Sequence, residues 1–297
     1  MIRVALIALL CAAGVHAAQA RSFYIEGAGG VPLAVTDAGA VDAPAILFLH
    51  GIGHGRDSFQ VQFTSHLTEN YRLVAFDLRG HGMSGKPWRA ADYAEAAIWA
   101  EDVARVMDAT GLIRPVVVAW SYGTLVAADM VRVGGAPRIA GVVMVSALGG
   151  LEAQAPQGEI PPDLAKARLL QPQPSLADQQ DASRLVARYL TDGPAPAPWR
   201  DTTLALNLMV PPYVQPLVRQ HASDNRDLVA RFTMPVLIVH GAKDAAVQQA
   251  AVDSLVQRLP NGLASRYDAA GHTPFVEDAP RFNRELAAFV ESVRSNQ

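Results

Sequence analysis

Short apolar runs bounded by turn residues recur from residue 45 onward: Ala45–Leu49, Arg72–Asp77, Pro115–Trp120, Gly141–Ser146 and Pro235–His240. They are apolar at nearly every position, as expected of strands buried on both faces. Between and after them lie helix-length patterns at Ser58–Leu67, Asp92–Thr110, Tyr122–Val133, Ala246–Leu259 and Arg281–Val293, with a weaker strand run at Leu263–Tyr267. Strands alternating with helices predict an α/β fold: a mostly parallel central sheet with helices on both faces. Glu26–Thr36, with Gly29-Gly30 in its middle, predicts an antiparallel hairpin at the sheet's edge.

The alternation stops between residues 148 and 229, a stretch that holds 11 of the chain's 20 prolines. Proline donates no ladder hydrogen bond, so this stretch cannot belong to the sheet. It predicts a helical lid insertion (148–229) over a core made of 21–147 and 230–297. Residues 1–20 stand apart. Arg3 is followed by the apolar stretch Val4–Ala13, too short to span a bilayer, and Ala18-Gln19-Ala20 offers a small-x-small cleavage site. They are expected to be a cleaved signal peptide, giving a periplasmic or secreted protein.

Composition narrows the classes. The chain is 50% hydrophobic and 18% charged, which excludes intrinsic disorder. Lys plus Arg total 25 against 28 Asp plus Glu, a formal charge of −3, so no electrostatic footprint for nucleic acid or anionic lipid is expected. The only cysteine, Cys11, lies inside the leader, so the mature core must hold without disulfides.

The sharpest chemical signal is Ala119-Trp120-Ser121-Tyr122-Gly123, between a strand and a helix. A serine on so tight a turn is forced outward, and its neighbours two before and two after must be small, as Ala119 and Gly123 are. Serine is a poor nucleophile without a base, and a histidine base needs a carboxylate to orient it. Asp244 follows the strand ending at His240, and His272 follows Leu263–Tyr267. The order Ser121, Asp244, His272 places all three at carboxyl ends of strands, where sites in such sheets are built. Asp129 and Asp268 compete with Asp244 for the acid role.

Together with His50-Gly51-Ile52-Gly53 and Asp77-Leu78-Arg79-Gly80-His81-Gly82-Met83-Ser84, these segments resemble the α/β-hydrolase fold serine hydrolases over nearly all of 22–297. The resemblance implies a catalytic triad of Ser121, Asp244 and His272. It also implies an oxyanion hole of the Ile52 and Tyr122 backbone N–H groups, and a small-molecule carboxylic ester as substrate. No metal or organic cofactor is required. The same triad also serves lactonases, carbon–carbon bond hydrolases, perhydrolases and prolyl aminopeptidases, and a non-catalytic receptor could keep the fold. The sequence departs from the family at Ala119, where Gly is usual, and at Gly53-His54, where many relatives carry a proline.

Other signals are weaker. Gly80–Gly85 fits G-x-G-x-x-G, but Lys86-Pro87-Trp88 follows where a helix should open, which argues against a nucleotide site. A tight loop held locally by Asp77 and Arg79 is expected instead. His50 and His54 are spaced as metal ligands on a helix are, but the surrounding glycines argue against a helix and a metal pair. His50 is expected to be structural and His54 to line the entrance, with His66 and His221 on the surface. Trp199, Met209 and Tyr213 are expected to pack the lid or touch substrate. Glu152, Glu159 and Asp163 are the lid carboxylates that could hold a substrate amine.

Overall fold

The strand runs from Ala45–Leu49 to Val236–Gly241 are buried on both sides because their alternate side chains enter two different cores. The computed structural model describes residues 20–152, 161–193 and 195–295. The leader read at 1–20 lies, except for Ala20, outside the described residues, as does Glu159. The strands are β1 (Arg21–Glu26), β2 (Pro32–Ala38), β3 (Ala45–Leu49), β4 (Arg72–Phe76), β5 (Val116–Trp120), β6 (Gly141–Val145), β7 (Val236–Gly241) and β8 (Gly262–Tyr267). They form one sheet in the order β1-β2-β4-β3-β5-β6-β7-β8. β1 and β2 are antiparallel to their neighbours, and every pairing from β4 to β8 is parallel.

The helices that cover the sheet are α1 (Ala96–Thr110), α2 (Gly123–Arg132), α3 (Pro162–Leu170), α4 (Leu176–Leu190), α5 (Ala197–Leu208), α6 (Val214–Val218), α7 (Gln249–Arg258), α8 (Pro274–Glu277) and α9 (Ala279–Ser295). Leu47, Leu49, Val117, Ala119 and Val142 join one cluster with Val103 of α1, Val126 of α2 and Val252 of α7. Ile46, Phe48, Val116, Val118 and Val143 join a second with Phe282, Leu286 and Phe289 of α9. The period of two along each strand therefore builds a three-layer sandwich. After β3 the chain turns to the second face, where Phe59 and Leu67 pack, and after β5 it turns to the first, through α2. Connections that leave neighbouring strands on opposite faces open a crevice at their carboxyl ends.

Between β6 and β7 the chain leaves the sheet and makes α3 to α6. Its prolines start these helices: Pro162 opens α3, and Pro196 and Pro198 flank the start of α5. There the missing N–H costs nothing, because the first turn has no intrahelical acceptor for it. The insertion lies across both cores. Leu185, Val186, Leu190 and Trp199 pack with the second, and Val210, Val214 and Val218 with the first. Trp199 Nε1 donates to the Ser58 carbonyl at 2.9 Å, and Tyr213 Oη donates to the Lys86 carbonyl at 2.7 Å.

Some boundaries differ from expectation. The hairpin starts earlier, with β1 ahead of Glu26 and the turn between Gly27 and Val31. Ser58–Leu67 is broken into a 3-10 turn Arg56–Phe59 and helical turns Gln60–Phe63 and Leu67–Asn70. Ser65 explains the break: its Oγ donates to the Gln62 carbonyl at 2.7 Å and accepts from the Leu67 N–H at 3.2 Å, competing with the helix. Asp92–Thr110 is interrupted at Glu95, which is extended, and ends on Gly111 in the left-handed conformation (φ 68°).

Arg79, expected to act locally, instead ties the β4 loop to α1 and the hairpin turn. Its Nε and Nη2 both meet the Asp102 carboxylate at 2.7 Å, and Nη2 and Nη1 reach the carbonyls of Ala28 and Asp92. Asp102 also accepts the Ala28 N–H at 2.8 Å. Asp102→Ala would strand a buried guanidinium and a buried N–H, so a loss of about 3–5 kcal/mol is expected. Urea unfolding checks this; a loss below about 1 kcal/mol would show the pair contributes little.

Candidate active site

Ser121 ends β5 and precedes α2 in a backbone conformation (φ 52°) that a non-glycine residue rarely adopts. The turn is held from several sides. The Ser121 N–H reaches the Val145 carbonyl at 2.9 Å, and the Ser121 carbonyl accepts from both the N–H (3.0 Å) and Oγ1 (2.6 Å) of Thr124. Gly123 must be glycine, since a Cβ there would collide with the Leu49 carbonyl. A Cβ on Gly51 would lie 3.1 Å from the Ser121 Cβ, so the loop after β3 rests against the serine.

The structure brings the three side chains together. Ser121 Oγ lies 3.0 Å from His272 Nε2, and His272 Nδ1 lies 2.8 Å from Asp244 Oδ2. The Asp244 side chain is fully buried, and its other oxygen accepts the Ala246 N–H at 2.8 Å. With Nδ1 donating to the carboxylate, Nε2 is left unprotonated and free to accept the serine proton. Ser121 keeps partial exposure. The backbone N–H groups of Ile52 and Tyr122 have no acceptor among the described residues. This arrangement can deprotonate a hydroxyl and offer two donors to an oxyanion.

The competing acids are engaged elsewhere. Asp268 is 86% exposed and pairs with Arg266. Asp129 Oδ2 lies 2.7 Å from His221 Nε2, both side chains buried. That corrects the expectation that His221 is a surface residue. It belongs to the insertion, its Nδ1 2.9 Å from Tyr122 Oη and its ring stacked on Trp99 at 5.3 Å. His66 is exposed, as expected. Sequence reasoning also missed two neighbours of the base. Trp120 Nε1 donates to the His272 carbonyl at 2.9 Å, and the Tyr189 ring of α4 lies 5.2 Å from the His272 ring. No one-dimensional pattern marks either, because both depend on how distant segments seat against the loop. Met209 is partly buried and Trp199 packs, as one expectation had it; Glu152 and Asp163 pair with Arg258 and Arg188.

The glycine-rich loop is shaped by protein groups. Asp77 accepts from the N–H groups of Arg56 (2.7 Å) and Met83 (2.8 Å) and pairs with the Arg56 guanidinium. Lys86 Nζ donates to the carbonyls of Gly82 (2.6 Å) and Ser84 (2.9 Å). The lysine thus closes the loop on itself.

A family model described as the alpha/beta hydrolase fold matches residues 44–279. The chain is 27% identical over 286 residues to the bifunctional esterase/perhydrolase DCH of Acinetobacter calcoaceticus, covering 91% of this chain and 99% of that one. Among solved structures it is similar to the esterase RhEst1 from Rhodococcus sp. ECU1013, with a TM-score of 0.82, 27% identity, and coverage of 92% and 99%. It is also similar to a Burkholderia cenocepacia chain assigned as an aryl esterase, with a TM-score of 0.85, 30% identity, and coverage of 93% and 100%.

Three histidines lie behind the oxyanion loop. His50 Nδ1 donates to the Gly51 carbonyl at 2.8 Å and its Nε2 accepts the Leu78 N–H at 2.8 Å, which fixes a neutral tautomer. Its ring is 5.2 Å from that of His81. His54, expected at the entrance, is buried instead against Trp120 at 4.6 Å. Burial pushes His50 down to about 4 and His81 to about 3, and holds His54 well below the usual imidazole range. The unfolded chain therefore binds more protons below about pH 6.5. The stability these groups contribute is full above that pH and is lost as pH falls to about 4 for His50 and about 3 for His81. From pH 7 to pH 5 a loss on the order of 1–2 kcal/mol per histidine is expected. Urea midpoints at the two pH values, in the parent chain and in His81→Asn, measure it; equal slopes would remove His81 from the account.

Proposed function

The chain belongs to the alpha/beta hydrolase family, and from that premise we propose that it hydrolyses a carboxylic ester through an acyl-enzyme on Ser121. One observation carries the reading: the unbroken path from Ser121 Oγ through His272 to a buried Asp244. Oγ bonds to the ester carbonyl carbon as its proton passes to His272 Nε2. The Ile52 and Tyr122 N–H groups receive the charge that develops on the carbonyl oxygen, each worth about 10²–10³ in rate. His272 returns its proton to the leaving alkoxide, and the alcohol departs. Water then repeats the sequence against the acyl carbon, freeing the acid and restoring Ser121. Asp244 stabilises the imidazolium in both halves.

The DCH relative is an esterase and a perhydrolase, and the related esterase structures share the fold over their whole length, which favours an ester over the other bonds this triad can cleave. The lid carboxylates Glu152 and Asp163 already face arginines, which weighs against an aminopeptidase's amine-binding site. Residues 1–20 make this an exported enzyme, periplasmic or secreted, with a small-molecule substrate and no nucleic acid partner or stable membrane association.

A fluorophosphonate probe should label the protein, and Ser121→Ala should remove the label outright. His272→Ala should lower kcat on p-nitrophenyl esters on the order of 10³–10⁶, and Asp244→Asn by somewhat less. Near-normal turnover in a folded Asp244→Asn variant, with loss in Asp268→Asn, would reassign the acid. A probe that never reacts with the parent chain would favour a receptor. Intact-mass measurement of the native protein should give a chain starting near Arg21; a full-length cytosolic form would sink the export reading.

A further inference from the structure

One carboxylate gathers the backbone around the base. Glu277, the last residue of α8, accepts the Gly271 N–H on both oxygens at 3.0 Å. Its Oε2 also accepts the N–H and Oγ1 of Thr273, each at 3.2 Å. Gly271 and Thr273 are the residues on either side of His272. Glu277 Oε1 further accepts the Asp192 N–H at 2.7 Å, and Asp192 lies just beyond the end of the lid helix α4. The last residue of that helix reaches the same loop: the Leu190 carbonyl accepts from the His272 N–H at 2.9 Å and from Thr273 Oγ1 at 3.1 Å.

A glutamate behind a short helix has an ordinary duty, which is to satisfy the N–H groups of the first turn. Its bonds to Thr273, the residue that caps the helix, fit that duty, but those to Gly271 and Asp192 do not, because both donors lie beyond the cap. The loop between β8 and α8 has no sheet ladder to fix it, and a base must sit within a few tenths of an ångström of its productive position. Hydrogen bonds from N–H groups to an ionised carboxylate are the strong kind. We propose that Glu277 is the positioning residue of the general base, fixing His272 from both flanks and, through Asp192, making its placement depend on the seating of the lid helix. The inference rests on the reading of His272 as the base.

The test compares the full parent chain with Glu277→Ala and Glu277→Gln at a temperature well below their melting points. For Glu277→Ala, kcat on a p-nitrophenyl ester should fall at least tenfold with KM within about threefold. The rate of fluorophosphonate labelling should fall in parallel. Glu277→Gln keeps the volume and one acceptor oxygen, so it should fold even where Ala does not, with kcat lowered about three- to tenfold. Hydrogen exchange should quicken together in peptides covering 189–193 and 270–274 in either variant. A pure helix cap would lower the melting temperature and leave kcat and labelling at the parent value in both variants, and that result overturns the proposal. Faster exchange at 270–274 with none at 189–193 overturns the link to the lid. Should the parent chain neither react with the probe nor cleave esters, the ester-hydrolase reading fails. Hydrogen exchange and the low-field Nδ1 proton resonance of His272 then decide the positioning claim alone: both unchanged in Glu277→Gln would reject it.

Discussion

The site depends on one strained residue. A non-glycine φ of 52° at Ser121 costs on the order of 1–3 kcal/mol and persists only when its surroundings over-determine it. Here the surroundings are the sheet itself. The neighbouring strand β6 supplies the Val145 carbonyl to the Ser121 N–H, and β3 brings the Leu49 carbonyl so near Gly123 that no side chain fits there. Strain at the turn is therefore tolerated because three central strands are buried on both faces and cannot move apart without exposing two cores. That geometry leaves the hydroxyl pointing outward, with unpaired N–H groups beside it.

This dependence explains what was legible in the sequence. Strands buried on both faces leave continuous apolar runs, and a tight turn demands small residues at fixed offsets, so β3 to β7, Ser121, Asp244 and His272 all left one-dimensional traces. The breaks near Ser65 and Glu95 left none, because the apolar period continues through them while local side-chain bonds or an extended residue end the helix. His221 was misread for a similar reason. It follows α6 in a proline-rich, polar stretch that looks like surface, and only the docking of that stretch against Trp99 and Asp129 buries it. Glu277 lies ahead of the predicted helix Arg281–Val293 and carries no pattern of its own, and its bonds to Gly271 and Asp192 join segments that only the fold brings together.

The insertion is attached where chemistry is placed. On the base side the end of α4 meets the loop of His272 through Leu190 and Asp192. On the nucleophile side Tyr122 Oη donates to the Val218 carbonyl at 3.2 Å and contacts His221. A segment added to a sheet for coverage alone would need apolar contact with the crevice rim and little else. This one also exchanges hydrogen bonds with the residues on either side of the Ser121–His272 contact, so its seating and the geometry of that contact are linked.

Two buried Asp–His pairs lie near the same turn, and they differ in what each histidine meets. Each histidine directs one nitrogen at a carboxylate: His272 at Asp244, His221 at Asp129. What differs is the group on the other nitrogen. For His272 it is the hydroxyl of a partly exposed serine, beside two unpaired N–H groups where charge can develop. For His221 it is the phenol of Tyr122, which burial raises well above its usual range, with the Asp129 charge adding to the effect. A phenoxide there would form deep in the core, without an oxyanion site or room for an acyl group. Because Tyr122 Oη gives its proton to the Val218 carbonyl, His221 Nδ1 can only donate to it, whereas His272 Nε2 is free to accept from Ser121, so the first pair ties the insertion to α2 and the second faces a hydroxyl it can deprotonate.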